Sequence, residues 1–298
     1  MQARSTLFTL YGDYVRHYGG TIWIGSLIAL MAELAFSPSA VRAAVSRMSR
    51  QGWLASIRAG RASYYALSAH GQERIDEAAQ RIFKLHPERW DGRWRLLSID
   101  AAGGDRKRRD RLRRELVWMG YAVLARGVYL TPNDLVERTA ALMERYGLAG
   151  RFEMYTANHE GPSADAALVG RYWDVRGIDA AYAAFAAEWQ PRLERARGAA
   201  ARGETPADAV CFVERTHLVH AFRKFLFSDP GLPQELLPER WSGTAARGVF
   251  SAYYHLLTEG ALGFFERLYR PAPGHEADVP HGRRVARADP FRPPLPVV

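Results

Sequence analysis

The sequence predicts an α+β fold in several domains, and three patterns in it lead there. Residues 24–67 read as helix, turn, capped helix and hairpin. Residues 94–156 alternate as β-α-β-β-α-β, and residues 178–269 read as three helices. Of the 298 residues 48% are hydrophobic and 24% charged, an ordinary globular balance with enough apolar material for two or three cores.

In the first segment, residues 1–87, the chain is helical at its start, and Leu27, Ile28, Leu30, Met31 and Leu34 then recur at helical spacing. That helix stops at Ala35 and Phe36. Ser37 is placed to cap a second helix, with Pro38 at its first position, and Gly52 ends it after residue 51. At about 100° per residue, Val41, Ala44, Val45 and Met48 share one face. The opposite face collects Ser39, Ala43, Ser46 and Arg50, flanked by Arg42 and Arg47. Small polar side chains edged by arginines let a helix sit deep in a major groove, where serine and arginine bond base edges and arginine also takes phosphate. The two-residue break makes the pair a helix-turn-helix with the second helix as reader. After Trp53, the run LASIRAGRASYYAL gives two strands around Ala59 and Gly60, with Arg58 and Arg61 at the tip. Such a wing meets the DNA backbone or minor groove. The first domain is thus expected to be a winged helix-turn-helix on double-stranded DNA, a winged helix used for protein contacts being the alternative. An amphipathic helix over 71–84 closes the segment, with a face that could pair with its twin in a homodimer.

Charge points the same way. The formal net charge is +9, and residues 1–87 hold ten Lys/Arg against five Asp/Glu, so over half the excess lies in less than a third of the chain. The single cysteine, Cys211, excludes an intrachain disulfide and any CxxC metal site and suits a reducing compartment. The longest apolar run, residues 22–32, is too short to span a bilayer, and no signal-peptide core opens the chain. A cytoplasmic protein without a membrane partner is expected.

Pro87 and the polar run 88–92 mark a boundary. The middle domain, 88–164, has strands at 94–100, 121–125, 127–130 and 152–156 and helices at 105–119 and 133–146, a ferredoxin-like order. A helical domain at 165–270 follows, with helices at 178–197, 206–227 and 244–269. The tail, 271–298, is rich in Pro, Gly and Arg and is expected to be disordered.

These residues resemble the PaaX family, transcriptional repressors of phenylacetic acid catabolism with a winged helix like that of GntR regulators. The resemblance rests on GDYVRHYGGTIWIGSLIALM, AVRAAVSRMSRQGWL, GRASYYALSAHGQERI, WDGRWRLL and RTHLVHAFRKFLFSDPGLPQELLPERWSG, and covers residues 8–269. It implies a dimeric repressor of an aromatic-acid catabolic operon, released from its operator by an aryl-acyl-CoA, phenylacetyl-CoA being the namesake ligand. Family membership does not fix the ligand, so another pathway stays open.

The middle segment is similar to the small ferredoxin-like nuclease subunit of CRISPR adaptation complexes, where an aspartate ending the first strand holds a metal. Asp100 takes the matching place in LLSIDAAGGDRKRRDRL. One carboxylate is a poor metal site unless a dimer partner supplies a second. The ordinary reading has Asp100 capping or turning the chain, in a module for dimerisation and spacing. Residues 106–114 hold seven cations in nine positions, a solvated face or an auxiliary phosphate contact.

In the helical segment Arg215, His217, His220, Arg223 and Lys224 interleave with Phe212, Phe222, Phe225 and Phe227. Rings for an acyl group and cations for phosphates would suit an aryl-acyl-CoA effector. The competing reading, favoured for most of these residues singly, is a packed helix whose cations pair with Glu214, Asp229 and Glu235. His217 and His220 lack further ligands to complete a metal set, and no cofactor is expected. No GxSxG, P-loop, GxGxxG after a strand or HExxH occurs, and Cys211 sits in an apolar context, so no enzyme is expected. The rivals to the repressor are a metal-dependent nuclease built on Asp100 and an effector-blind DNA-binding protein.

Overall fold

The computed structural model describes residues 1–84, 89–100, 105–274 and 290–291. They fall into two compact units: one from 1–85, 185–223 and 247–298, the other from 86–184 and 224–246. The helices expected to form a third domain over 165–270 are therefore divided between the two. The expected boundary at Pro87 lies outside the described residues.

The first unit opens with α1 (Ala3–Asp13), a 3-10 turn (Val15–Tyr18) and β1 (Thr21–Trp23). Next come α2 (Ile24–Ala32), α3 (Pro38–Arg50), β2 (Leu54–Ala59), β3 (Ala62–Leu67) and α4 (Ala69–Ile82). The strands form an antiparallel sheet in the order β1-β3-β2. β1 was not expected: its three residues merge into the apolar run that continues as α2, with no turn residue between them.

The break between α2 and α3 is longer than the expected two residues, spanning 33–37, because α2 ends at Ala32, two residues short of Leu34. Phe36 N–H donates to the Met31 carbonyl and Ala35 N–H to that of Ala32, with Ala35 at φ +62. This is a Schellman ending, whose left-handed position is normally glycine. Ala35→Gly should therefore raise stability by about 0.5–1 kcal/mol. Urea unfolding checks this, and an unchanged or lower midpoint would count against a strained Ala35. Ser37 then caps α3 as expected, accepting from Ala40 N–H at 3.3 Å.

α4 is capped by Ser68, which accepts from Gly71 N–H at 3.0 Å. Gly71 is required there, since a Cβ would lie 2.4 Å from the Trp53 carbonyl. The apolar face of α4 is not free for a twin. Ile75 and Ala79 are buried, Arg16 pairs with Asp76 at 2.9 Å, and Phe83 just beyond packs on Phe250 and Tyr254. The expected dimer contact through this helix gives way to burial within the chain.

The second unit holds β4 (Trp94–Ile99), α5 (Arg106–Met119), β5 (Ala122–Ala125), β6 (Val128–Thr131), α6 (Val136–Arg145) and β7 (Phe152–Ala157). Its antiparallel sheet has the order β5-β6-β4-β7, the pairing of a β-α-β-β-α-β unit whose first strand lies inside. Alternation along β4 feeds two cores. Leu97 and Ile99 join Leu112, Leu116, Leu142 and Met143 beneath α5 and α6. Trp94 joins Leu130, Val169, Leu232 and Leu236 on the other face. That second cover includes α7 (Asp165–Tyr172), which the sequence did not reveal, and a 3-10 turn (Gln234–Leu236). At Gly120, φ is +112 and a Cβ would meet the Pro230 carbonyl at 2.5 Å, so only glycine ends α5 here.

Three further helices complete the chain: α8 (Val175–Ala201), α9 (Asp208–Phe222) and α10 (Ser242–Leu268). Residues 223–227, expected to extend α9, tighten instead into a 3-10 turn. Most of the tail lies outside the described residues, but two anchors are seen. Ala272 N–H donates to the Tyr64 hydroxyl at 2.8 Å, and Phe291 is buried among aromatic rings.

Candidate nucleic-acid interface

α3 divides as its pattern requires. Val41, Ala44, Val45 and Met48 are buried against α1 and α2, while Ser39, Arg42, Ala43, Ser46, Arg47 and Arg50 are exposed. Beside it β2 and β3 form a hairpin with Arg58 opposite Ser63 and Ala59 opposite Ala62. Gly60, at φ +55, takes the first loop position, where a type II′ turn needs a positive φ. Residues 55–58 of β2 are exposed, as is Arg61 in the turn, while Ala59, Ala62 and Tyr64 are buried together with Ala272.

Among the described residues, none of the five guanidinium groups of Arg42, Arg47, Arg50, Arg58 and Arg61 takes an ion pair. Other arginines of this unit behave differently. Arg16 is held by Asp76 at 2.9 Å, Arg74 by Glu77 at 3.3 Å and Arg192 by Glu214 at 3.3 Å. Exposed guanidiniums beside a helix face of small residues have the chemistry to meet phosphates and base edges.

Of the five side chains expected to meet an effector, three serve the core. Arg215 is wholly buried and forks onto Asp13 at 2.8 and 3.0 Å, while also donating to Tyr254 at 2.7 Å and Thr258 at 3.3 Å. Burial alone would lower its pKa, but the charge of Asp13, with Tyr254 and Tyr14, holds it above the usual arginine value. Arg223 donates to the Thr9 hydroxyl at 2.8 Å and the Ser5 carbonyl at 2.7 Å; burial pushes its pKa down to about 10, leaving it charged at neutral pH. His220 Nδ1 lies 3.1 Å from the same Thr9 hydroxyl. These groups fasten α9 to α1. His217 is half-buried, its pKa lowered by that burial, and Lys224 is exposed.

The partners on α1 were missed in the sequence. Ser5, Thr9 and Asp13 stand at every fourth position of α1, whose other positions are mostly apolar, and this puts three polar groups on one stripe. That spacing was the available signal for a buried polar seam.

Asp100 does not cap α5; Asp105 does, accepting from Lys107 N–H at 3.1 Å. Asp100 is exposed and paired with Arg151 at 3.3 Å. Among the described residues no group of three or more His, Cys, Asp or Glu side chains is placed to hold a metal. The cations of residues 106–114 lie largely exposed on α5, Arg108 reaching the Tyr146 carbonyl. None of the described helices is long and apolar enough to cross a membrane.

Three family models match successive parts of the chain. Residues 2–71 match the description PaaX-like protein, residues 87–169 the PaaX protein central Cas2-like domain, and residues 173–267 the PaaX-like protein C-terminal domain. The chain belongs to the PaaX family. It is 32% identical over 279 residues to the transcriptional repressor PaaX of Escherichia coli strain K12, covering 91% of this chain and 87% of that protein. Among solved structures it is similar to an uncharacterized protein, Rv0674, from Mycobacterium tuberculosis. That match has a TM-score of 0.50 and 25% identity, and covers 88% of this chain and 98% of the other.

Proposed function

We propose that the chain is a cytoplasmic transcriptional repressor of a phenylacetate-type catabolic operon, binding its operator as a homodimer and released by an aryl-acyl-CoA. The five uncompensated arginines around α3 and the hairpin carry this reading, in a chain similar to a curated transcriptional repressor. α2, α3 and the hairpin act as a winged helix-turn-helix. The exposed face of α3 enters a major groove, and Arg58 and Arg61 hold the flanking backbone. Two readers of a dimer occupy half-sites one helical turn apart, about 34 Å. The four-stranded sheet belongs to the dimerisation module, and its edge strand β7 leaves Tyr155 53% exposed.

An effector shifts operator affinity only through its unequal preference for two arrangements of the dimer. Of the side chains expected to meet it, Lys224 is exposed and His217, on α9, is half-buried. The enzymatic rival has little support, because Asp100 is engaged by Arg151 and the relative is a repressor.

A gel shift on the promoter of the neighbouring operon tests the proposal. Retardation at nanomolar protein is expected, relieved by phenylacetyl-CoA. Retardation that ignores a series of aryl-CoA thioesters removes the switch and leaves a constitutive DNA-binding protein. Failure to prefer the promoter over random DNA removes the repressor.

A further inference from the structure

We propose that the aromatic seat filled by Phe291 is a binding site for the aryl ring of a small molecule, and that Phe291 is its built-in competitor. Four rings wall the seat: Phe83 beyond the end of α4, and Phe250, Tyr254 and His255 of α10. Their centroids lie 5.2, 5.4, 5.3 and 5.1 Å from that of Phe291, in that order. The first three meet it edge to face, the arrangement in which aromatic quadrupoles attract. Phe291 is left only 7% exposed.

The seat and its occupant have different origins. All five residues belong to the first unit, the walls standing on or beside its helices and Phe291 lying beyond the end of α10 at Leu268. A phenyl ring supplied by the chain shows what the walls accept: a flat, uncharged six-membered ring. A cation lies near the seat: the Arg247 guanidinium, which donates to the Lys84 carbonyl at 2.9 Å, is 5.8 Å over Phe222, and Phe222 stacks on Phe250 at 4.1 Å. An aryl group carrying an anionic remainder suits this combination.

The seat also touches the element that positions the reader. The Tyr254 hydroxyl donates to Asp13 at 2.8 Å and accepts from Arg215 at 2.7 Å. Asp13 is the last residue of α1, which packs on α3. A ligand that repositions Tyr254 therefore acts on the seam that fixes α1, and through it on α3. This rests on the reading above that an aryl ligand controls the chain, and it names the place where that ligand is read.

An incoming ring must displace Phe291, and burying one such side chain is equivalent to about tenfold to a hundredfold in apparent affinity. The experiment is calorimetric titration of full-length protein and of the variants Phe291→Ala and Phe291→Asp, with thermal unfolding run alongside. The probes are phenylacetyl-CoA, free phenylacetate and acetyl-CoA. Both variants are expected to bind an aryl probe at least about tenfold more tightly than the native chain, with acetyl-CoA unaffected. Whichever aryl probe responds tells thioester from free acid. Equal affinities across the three proteins, or no aryl binding by any, overturn the proposal. So does a fall in Tm without a gain in affinity, which makes Phe291 a packing residue only. Gel shifts on the same preparations report DNA binding separately, so either reading can fail alone.

Discussion

Replacing Arg215 by methionine should destabilise the protein by about 3–5 kcal/mol, the penalty of leaving a buried charge without its partner. The charge left behind is Asp13, whose side chain and that of Arg215 are both fully removed from solvent. Tyr254 and Thr258 lose a hydrogen-bond partner at the same moment. The converse change, Asp13→Leu, strands a guanidinium instead and should cost a similar amount. Because two buried ions pay heavily for lost hydration, the double variant Asp13→Leu, Arg215→Met should recover most of the loss. Urea unfolding of the four proteins gives the coupling directly. Additive losses in the double variant would mean that the pair is not the interaction holding α1 to α9.

The second large effect is expected at the interface. Arg50→Ala should weaken operator binding by about 1–3 kcal/mol if its guanidinium forks onto a base edge, and random-sequence DNA binding by less. Arg58→Ala with Arg61→Ala should behave otherwise, lowering both affinities alike and flattening the salt dependence by roughly 0.9 for each phosphate no longer neutralised. Titrations at several salt concentrations on operator and random duplexes separate the two cases. Equal losses for Arg50→Ala on both duplexes would move it from reader to phosphate ligand.

Much of this surface was legible because helix periodicity acts locally. The alternation of Val41, Val45 and Met48 with Ser39, Ser46 and Arg50 has one solution on a helix with one covered face, and the structure adopts it. The strands of the four-stranded sheet were legible for the same reason, bounded as they are by turn glycines such as Gly120 and Gly127. What escaped depended on distant partners. β1 exists because β3 pairs with it across forty residues of chain, Thr21 lying opposite Ala66. α7 is held by Val169 in the core beneath Trp94, a packing arrangement that no local pattern announces. The cations of residues 215–224 were expected to pair, if they packed, with Glu214, Asp229 and Glu235 in the same stretch, but Arg215 and Arg223 are held from α1 instead. Their partners, Asp13, Thr9 and Ser5, are more than 200 positions away.

That separation has a consequence for how the protein is made. With α1 closed over by α9 through a pair of residues 202 positions apart, the amino-terminal half leaves the ribosome lacking one wall of its own core. At roughly 5–20 residues per second, some ten to forty seconds of translation pass before that wall arrives. During this interval Asp13 lacks its ion partner and α1 lacks the helix that covers it. Gene fragments ending before α9 should therefore yield chaperone-bound or aggregated product, and DNA-binding competence should appear only near completion of synthesis.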